Sequence, residues 1–171
     1  METQKTPQPC GEVPQPQKEH RWLQRLAGEW TFEAEARMGP DAPVETFGGT
    51  ETVRPVGELW IQAEGRGDTP EGIPVTSLLT LGYDPRRRRF VGTFLASVMT
   101  HLWVYDGTLD AAERVLTLDT EGPDMSDESK TARYQEAIEL QSDDHRVFTS
   151  RVLGADGTWR EVMRAHYRRR R

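Results

Sequence analysis

Two side chains in this sequence, His101 and Glu136, have types and settings that could do acid–base chemistry or hold the polar end of a ligand. His101 stands in "SVMTHLWVYDG", a run that is otherwise typical of a β-strand. Glu136 stands in "TARYQEAIEL" at a two-residue spacing from apolar side chains. An imidazole titrates near neutral pH, and a carboxyl group on an apolar face needs a partner or a raised pKa. Together they could transfer a proton on a bound molecule.

The spacing around His101 places it on one strand face with Trp103 and Tyr105. The opposite face carries Thr100, Leu102 and Val104. Three aromatic or heteroaromatic rings seldom sit together in water, so we expect the His101 face to point inward. His101 is then either a polar group in an apolar pocket, as in many small-molecule sites, or a histidine hydrogen-bonded within the protein or at its rim.

Two further polar positions share faces with large side chains. Glu136 lies on the face of Ala132, Tyr134, Ile138 and Leu140, where it is either a buried carboxyl or a group in water at an open rim. In "LWIQAEGR", one face carries Trp60, Gln62, Glu64 and Arg66. That face either lines a cavity or meets solvent, and Glu64 is a second candidate partner for His101.

The elements that must position these groups follow from hydrophobic periodicity. Trp22, Leu23 and Leu26 have helical spacing, which predicts one short helix ending at Gly28. In "EWTFEAEARM" the period changes to two, which is typical of a half-buried strand. The same pattern predicts further strands near 45–56, 58–66, 74–83, 89–97, 100–106, 113–120, 131–141, 145–153 and 157–168.

The connections predict an antiparallel arrangement. Asp106-Gly107 and Asp156-Gly157 suit hairpin turns, and the chain shows no helical crossover that parallel pairing would need. About ten strands in a chain of 171 residues would leave open edges as a flat sheet. Closure into an up-and-down β-barrel removes those edges and encloses room for side chains and one small ligand. The predicted fold class is therefore all-β, an antiparallel up-and-down barrel of about ten strands behind a short N-terminal helix.

Composition excludes several classes of function. The net charge of −6 disfavours nucleic acid or anionic membrane as a partner, because a phosphate site needs surplus Lys and Arg. No apolar run has the ~20 residues of a membrane helix, and the start of the chain lacks the apolar centre of a signal peptide, so we expect a cytoplasmic protein. Residues 1–17 are predicted to be a disordered tail before a single domain over 18–171. Cys10 falls in that tail.

The segment "LAGEWTFEAEA" resembles the opening of a lipocalin-like (calycin) barrel, in which a short helix precedes Gly-x-Trp; here these are Gly28 and Trp30. The resemblance implies that Trp30 packs across the closed end under an arginine from a late strand, for which Arg164 and Arg168 are candidates. A longer resemblance covers about residues 19–168. It rests on "WLQRLAGEWTFEAEA", "TLGYDPRRRRFVGTF", "MTHLWVYDGTLD", "LTLDTEGP" and "DDHRVFTS", and it is to the bacterial DUF1579 proteins, which implies a lipocalin-like barrel and no assigned activity.

Metal and haem sites are not expected. The chain has no Cys/His cluster with zinc spacing, and the acidic stretch 119–131 lacks the alternation of an EF-hand, so we interpret it as an exposed loop near the barrel mouth. A related haem-binding barrel family, the nitrobindins, ligates iron through a histidine near the C-terminal end. His166 has that position here, but its register points it outward. His20 and His145 are interpreted as surface residues.

We therefore predict a barrel that binds a small hydrophobic or amphipathic ligand, and the sequence favours binding over catalysis. The predicted ligand-binding residues are Trp30, Phe32, Phe94, His101, Trp103, Tyr105, Tyr134 and Glu136. The alternatives are an isomerase or hydrolase-like activity that uses His101 and Glu136 as acid and base, a haem-binding barrel, or a protein-interaction module that docks through a sheet edge or the 119–131 segment. The sequence leaves a homodimer open.

Overall fold

A computed structural model of the protein describes residues 11–171. Residues 11–17 have no regular secondary structure. The first ten residues, with Cys10, lie outside the described part, so the disordered tail over 1–17 stays a prediction.

The described chain contains one short helix, α1, followed by ten strands. The helix spans Lys18–Gln24, which ends one turn earlier than the predicted Gly28. The strands are β1 (Gly28–Ala36), β2 (Glu45–Val56), β3 (Trp60–Asp68), β4 (Pro74–Asp84), β5 (Arg89–Ala96), β6 (Trp103–Leu109), β7 (Val115–Asp124), β8 (Asp127–Ser142), β9 (His145–Leu153) and β10 (Trp159–Arg169).

The ten strands form one closed antiparallel barrel. Each strand pairs with its neighbour in the sequence, and β1 pairs with β10 to close the circle. Closure removes the two sheet edges that a flat meander would expose. The predicted fold class is thus confirmed, including the strand number and the helix before β1.

One end of the barrel is plugged by α1 and the segment after it. Trp22, Leu23 and Leu26 are at most 3% exposed and pack against the inward side chains of the strands. His20 also faces the barrel and is 3% exposed, so its interpretation as a surface residue is wrong. Its Nδ1 accepts a hydrogen bond from the Gln17 backbone N–H, so Nε2–H donates to the Tyr83 carbonyl at 3.1 Å. We call this plugged end the closed end.

Trp30 lies at the closed end between two guanidinium groups. The Trp30 ring has no exposed surface, and the guanidinium carbons of Arg146 and Arg169 lie 4.7 Å and 4.3 Å from its centroid. A late-strand arginine does cover this tryptophan, but it is Arg169 rather than Arg164 or Arg168. Because β10 alternates inward and outward, Arg164 and Arg168 face outward.

Gly28 has a structural reason to be glycine. Its φ of +134° is a conformation that side chains rarely adopt, and a Cβ there would meet the Arg169 guanidinium. That guanidinium donates a 3.0 Å hydrogen bond to the Arg25 carbonyl and another to the Ala27 carbonyl. The Gly-x-Trp motif therefore holds the turn from helix to barrel against the last strand.

Two further predictions of local structure are wrong, the bounds of the sixth strand and the loop at 119–131. The sixth strand spans 103–109 rather than 100–106, because Thr100, His101 and Leu102 complete the loop that follows β5. The acidic stretch 119–131 is not a long loop. It belongs to β7 and β8, which meet at a tight turn where the Asp124 carboxylate accepts hydrogen bonds from the backbone N–H and hydroxyl of Ser126 at 2.8 Å and 2.6 Å.

Candidate functional site

The barrel interior is packed in one half and open in the other. In the closed half, the inward side chains of Trp30, Ile61, Leu81 and Phe90 are at most 1% exposed. Toward the other end, the open end, Ala132, Tyr134, Val152 and Val162 form a small buried cluster. Other inward side chains there keep intermediate exposure: Phe32, Phe47, Ser77, Leu79, Phe94, Trp103, Glu136, Phe148 and Met163. An inward side chain can be partly accessible only if space adjoins it. Solvent-accessible space therefore adjoins these side chains in the open half.

Three polar groups converge in this space. The Tyr105 hydroxyl lies 2.5 Å from Oε2 of Glu136, and the Ser150 hydroxyl lies 3.4 Å from Oε1. The strand register brings these groups together. Glu136 on β8 is opposite Ser150 on β9 and opposite Leu118 on β7, and the Tyr105 side chain extends from β6 across β7 to Glu136. Glu136 is thus a half-buried residue whose carboxyl group lies inside the barrel rather than in water at the rim, one of the two alternatives that the sequence left open.

Burial controls the protonation of this group. Loss of hydration raises the pKa of Glu136 to about 7, although the hydrogen bonds from Tyr105 and Ser150 act in the lowering direction. Burial also raises the pKa of Tyr105 well above its usual value, and the neighbouring Glu136 charge adds to that rise. A carboxyl group with a pKa near 7 can donate or accept a hydrogen bond at neutral pH.

Aromatic and other apolar side chains surround the carboxyl group. Phe148 is on the same face of β9 as Ser150, and Tyr134 is on the same face of β8 as Glu136. Trp103 packs edge-on against Tyr134 with ring centroids 5.0 Å apart. Phe32 stacks on Tyr167 at 5.2 Å on the opposite wall. The lining therefore combines a few polar groups with an apolar wall, as ligand cavities usually do.

A second charged group lies deeper, toward the closed end. Arg146 is 4% exposed, forms an ion pair with Glu51, and lies 4.3 Å from the Tyr167 ring centroid. Burial is the main cause that raises the pKa of Tyr167, and the Glu51 charge adds to it. Because Arg146 is enclosed by Trp30, Tyr167 and Glu51, it serves the packing of the closed end.

His101 lies at the rim and not beside Glu136. Its Nε2 lies 3.0 Å from the Glu121 carbonyl, and its ring packs edge-on against Trp103 at 4.8 Å. The inward register is correct, since Leu102 and Val104 are 49% and 61% exposed while Tyr105 is 4% exposed. Glu121 is three residues beyond Leu118, the partner of Glu136, which corresponds to about 10 Å along the strand. The acid–base pair of His101 and Glu136 is therefore not formed.

His101 instead closes a gap in the barrel wall. Strands β6 and β7 are paired over only four rungs, from Asp106 to Leu109. Beyond Asp106, the Thr120 hydroxyl donates to the Val104 carbonyl at 2.8 Å and His101 bridges to Glu121. We call this region the β6–β7 seam. A surface cavity of about 440 Å³ lies there, lined by His101, Leu102, Val104, Asp119, Thr120, Glu121, Arg133 and Tyr134.

The other predicted site residues separate by depth. Phe32, Phe94 and Trp103 line the open half. Tyr134 is 2% exposed, and its hydroxyl donates to the Pro123 carbonyl at 2.6 Å. It therefore packs against Trp103 and has little surface of its own for a ligand. Trp30 belongs to the packed closed end, and contact with a ligand in the open half is not available to it.

The remaining polar candidates face outward. Trp60 is 41% exposed, and Glu64 bonds Arg66 at 2.7 Å on the outer face, so this strand presents Ile61 and Ala63 to the core. His166 is exposed, as its register predicted, and its Nδ1 lies 3.1 Å from Nε2 of His145. Within residues 11–171, no cluster of three or more His, Cys, Asp or Glu side chains could hold a metal ion.

The sequence analysis missed Ser150, Phe148 and Met163. The alternation in "HRVFTSRVL" does place Arg146, Phe148, Ser150 and Val152 on one face, so the signal was present. Met163 follows a register shift between Glu161 and Met163, which the two-residue period does not reveal.

Ten antiparallel strands closed in sequence order, with a helix over one end and solvent-accessible space at the other, define an up-and-down β-barrel. The chain belongs to the family described as "Protein of unknown function (DUF1579)", whose model matches residues 15–169. This confirms the family resemblance found in the sequence. A comparison with curated proteins gave no match.

Two solved structures share the fold. An S-type phycobiliprotein lyase from Guillardia theta is 17% identical with a TM-score of 0.61, and the match covers 91% of this chain and 99% of the lyase. Rv2717c from M. tuberculosis is 12% identical with a TM-score of 0.57, over 88% of this chain and 96% of that one. At such identity the likeness shows the fold alone. No helix in the described range is long and apolar enough to cross a membrane.

Proposed function

We propose that this protein binds one small hydrophobic or amphipathic molecule in the open half of its barrel. The observation that carries the proposal is the partial exposure of several inward side chains there, whereas Trp30 and Leu81 in the closed half have no exposed surface. The apolar part of the ligand contacts Phe32, Phe94 and Trp103. Its polar group meets Glu136, and His101 serves at the rim.

Filling the interior tests this function. Leu79 faces inward on β4 and its neighbour Leu78 faces outward, so Leu79→Trp and Leu78→Trp add the same bulk on opposite sides of the wall. We expect the fluorescent probe N-phenyl-1-naphthylamine to bind the wild type and Leu78→Trp, and to bind Leu79→Trp at least tenfold more weakly. Far-ultraviolet circular dichroism checks that both variants keep their strands. An absence of probe binding to the wild type, or equal binding by Leu79→Trp, contradicts the proposal.

Native mass spectrometry provides a second test. Protein purified from cells under gentle conditions is expected to carry a bound fraction of added mass that Leu79→Trp lacks. The mass of that fraction also identifies the ligand.

Acid–base catalysis is a second candidate function, and the convergence of Tyr105, Ser150 and Glu136 on one point favours it. A carboxyl group with a pKa near 7 is suited to accept and return a proton. In this catalytic hypothesis, Glu136 is the base that abstracts the proton, a role that the sequence analysis assigned to His101. Deuterium incorporation from D₂O into a ligand recovered from the protein, lost in Glu136→Gln, would support catalysis.

The remaining sequence-based expectations are part of the same proposal. Residues 18–171 act as one domain behind a disordered 1–17 tail, and the protein works in the cytoplasm without a nucleic acid or membrane partner. The barrel leaves a homodimer open.

A further inference from the structure

The geometry points to an amphiphile with a protonated amine as the ligand class of the barrel, an inference that rests on the proposed binding function. Glu136 is its central group. The argument uses the partners of this carboxyl group, the space beside it, the rings around that space and the charges at the mouth.

Glu136 has hydrogen-bond partners but no cation. Its two partners are the hydroxyls of Tyr105 and Ser150, and neither carries a positive charge. The buried guanidinium of Arg146 is paired with Glu51 instead. Among the ion pairs within residues 11–171, none includes Glu136. A carboxylate away from bulk water gains most from a partner of opposite charge.

The free side of the carboxyl group faces the open volume. Tyr105 and Ser150 are each 4% exposed, whereas Glu136 keeps intermediate exposure although the barrel wall surrounds it. The accessible part of its surface therefore lies toward the interior. A ligand group that enters from the open end therefore has access to the Glu136 side chain.

Aromatic rings near this space suit an ammonium group. Trp103 and Phe94 are cross-strand partners on β6 and β5, and Phe148 lies one inward position from Ser150 on β9. A cation is attracted to the face of an aromatic ring, most strongly to tryptophan, and a desolvated contact contributes more than an exposed one. The rings and the carboxyl group together favour a cationic head over a neutral one.

The mouth of the barrel favours cations as well. Acidic side chains outnumber basic ones in or beside the segments at the open end: Asp41, Glu45, Asp68, Glu71, Asp124, Asp127, Glu128 and Asp156, against Arg37, Arg66, Lys130 and Arg160. The arginine runs 86–89 and 168–171 lie at the closed end. Fields of this kind raise the local concentration of the oppositely charged ligand at the entrance.

Arg160 favours an anionic ligand instead, and it therefore defines the alternative hypothesis of a ligand with a carboxylate group. It is opposite the buried Val152 at the open end, and its Nη1 is buried without a hydrogen-bond partner. A ligand carboxylate could accept a hydrogen bond from that nitrogen. Arg160 and Glu136 lie at different depths, so variants separate the two readings.

Three probes with the same tail test the inference. The affinities of dodecylamine, 1-dodecanol and dodecanoate are measured by displacement of N-phenyl-1-naphthylamine at pH 8, below the concentrations at which micelles form. We expect dodecylamine to bind at least tenfold more tightly than the other two. Glu136→Gln is expected to remove this preference, so that dodecylamine binds no more tightly than 1-dodecanol. The control Glu139→Gln makes the same change on β8 at an outward position, and it should keep the preference.

The outcomes separate the inference from the function beneath it. If no probe binds the wild type, the binding function fails and the inference fails with it. If the three probes bind equally, or if Glu136→Gln keeps the preference for the amine, the binding function stands and the amine inference is overturned. If dodecanoate binds most tightly and loses affinity in Arg160→Gln, a carboxylate ligand at the mouth replaces the amine.

Discussion

The Tyr105 hydroxyl meets the Glu136 carboxyl group at 2.5 Å across the inward face of β7, although 31 positions separate the two residues in the sequence. Two strands that are not neighbours thus share one polar contact inside the barrel. The contact requires the curvature of a closed sheet, because β6 and β8 each pair with β7 rather than with each other. This pair defines the polar centre of the candidate site.

Glu136→Gln is expected to change how stability depends on pH. The folded-state pKa of about 7 lies above the ordinary glutamate value of 4.5, so the contribution of Glu136 to stability is full below pH 4.5 and is lost as the pH rises through 7. Glutamine does not titrate. The free energy of unfolding of the variant should therefore rise relative to the wild type between pH 4.5 and 8, by at most roughly 3 kcal/mol. Urea unfolding at several pH values measures this difference.

The neighbours of Glu136 do not change the direction of this effect. The titratable groups that face it are Tyr105 on β6 and Tyr167 on β10, and raised pKa values keep both neutral in this range. The Glu51–Arg146 pair lies beyond Tyr167 and is common to both proteins. Glu128→Gln, an exposed change on β8, serves as the control. A difference between wild type and Glu136→Gln that is independent of pH would contradict the burial of this carboxyl group.

Tyr105→Phe is expected to raise the pKa of Glu136 above about 7, because the lost hydrogen bond is one of the two that lower it. Infrared titration of the carboxyl stretch measures this pKa. Tyr134→Phe removes a different buried hydroxyl bond, to Pro123, and should leave the pKa of Glu136 unchanged. A fall in that pKa, or equal shifts in both variants, would show that Tyr105 does not stabilise the carboxylate.

Arg146→Met is expected to destabilise the barrel by about 3–5 kcal/mol, because it leaves the buried Glu51 carboxylate without its partner. Arg164→Met removes an exposed ion pair with Glu161 on β10 and should cost at most about 1 kcal/mol. Adding Glu51→Gln to Arg146→Met should recover part of the loss. Denaturant unfolding measures all three variants, and equal costs for Arg146→Met and Arg164→Met would refute the role of Arg146 in the closed end.

His101→Ala is expected to loosen the β6–β7 seam and leave the rest of the barrel intact. The lost bond to Glu121 is at the rim, so the free energy of unfolding should fall by no more than about 1 kcal/mol. Hydrogen exchange followed by mass spectrometry should show faster exchange in peptides that cover 103–105 and 120–122. His145→Ala, on the outer face of β9, should leave these peptides unchanged, and equal exchange in wild type and His101→Ala would exclude a role for His101 in the seam.

The fold was predictable because local patterns specify it. The two-residue period from Trp30 onward, the Asp-Gly turns and the absence of crossover helices permit few arrangements other than an antiparallel meander. The boundary near His101 was wrong because residues 100–102 alternate like a strand but lie where β5 and β6 are joined by a loop. Periodicity shows which way a side chain faces, but not whether a neighbouring strand is present to pair with it.

The sequence by itself predicted the barrel and its strand order, and it favoured an inward direction for Trp103 and Tyr105. Only the tertiary structure decided the depth of each group. It placed Trp30 in the packed end, His101 at the rim, and Glu136 between Tyr105 and Ser150 in the open half. The physical reason is that alternation acts along one strand, whereas depth and partners depend on the stagger between strands, which closure sets for all ten strands at once.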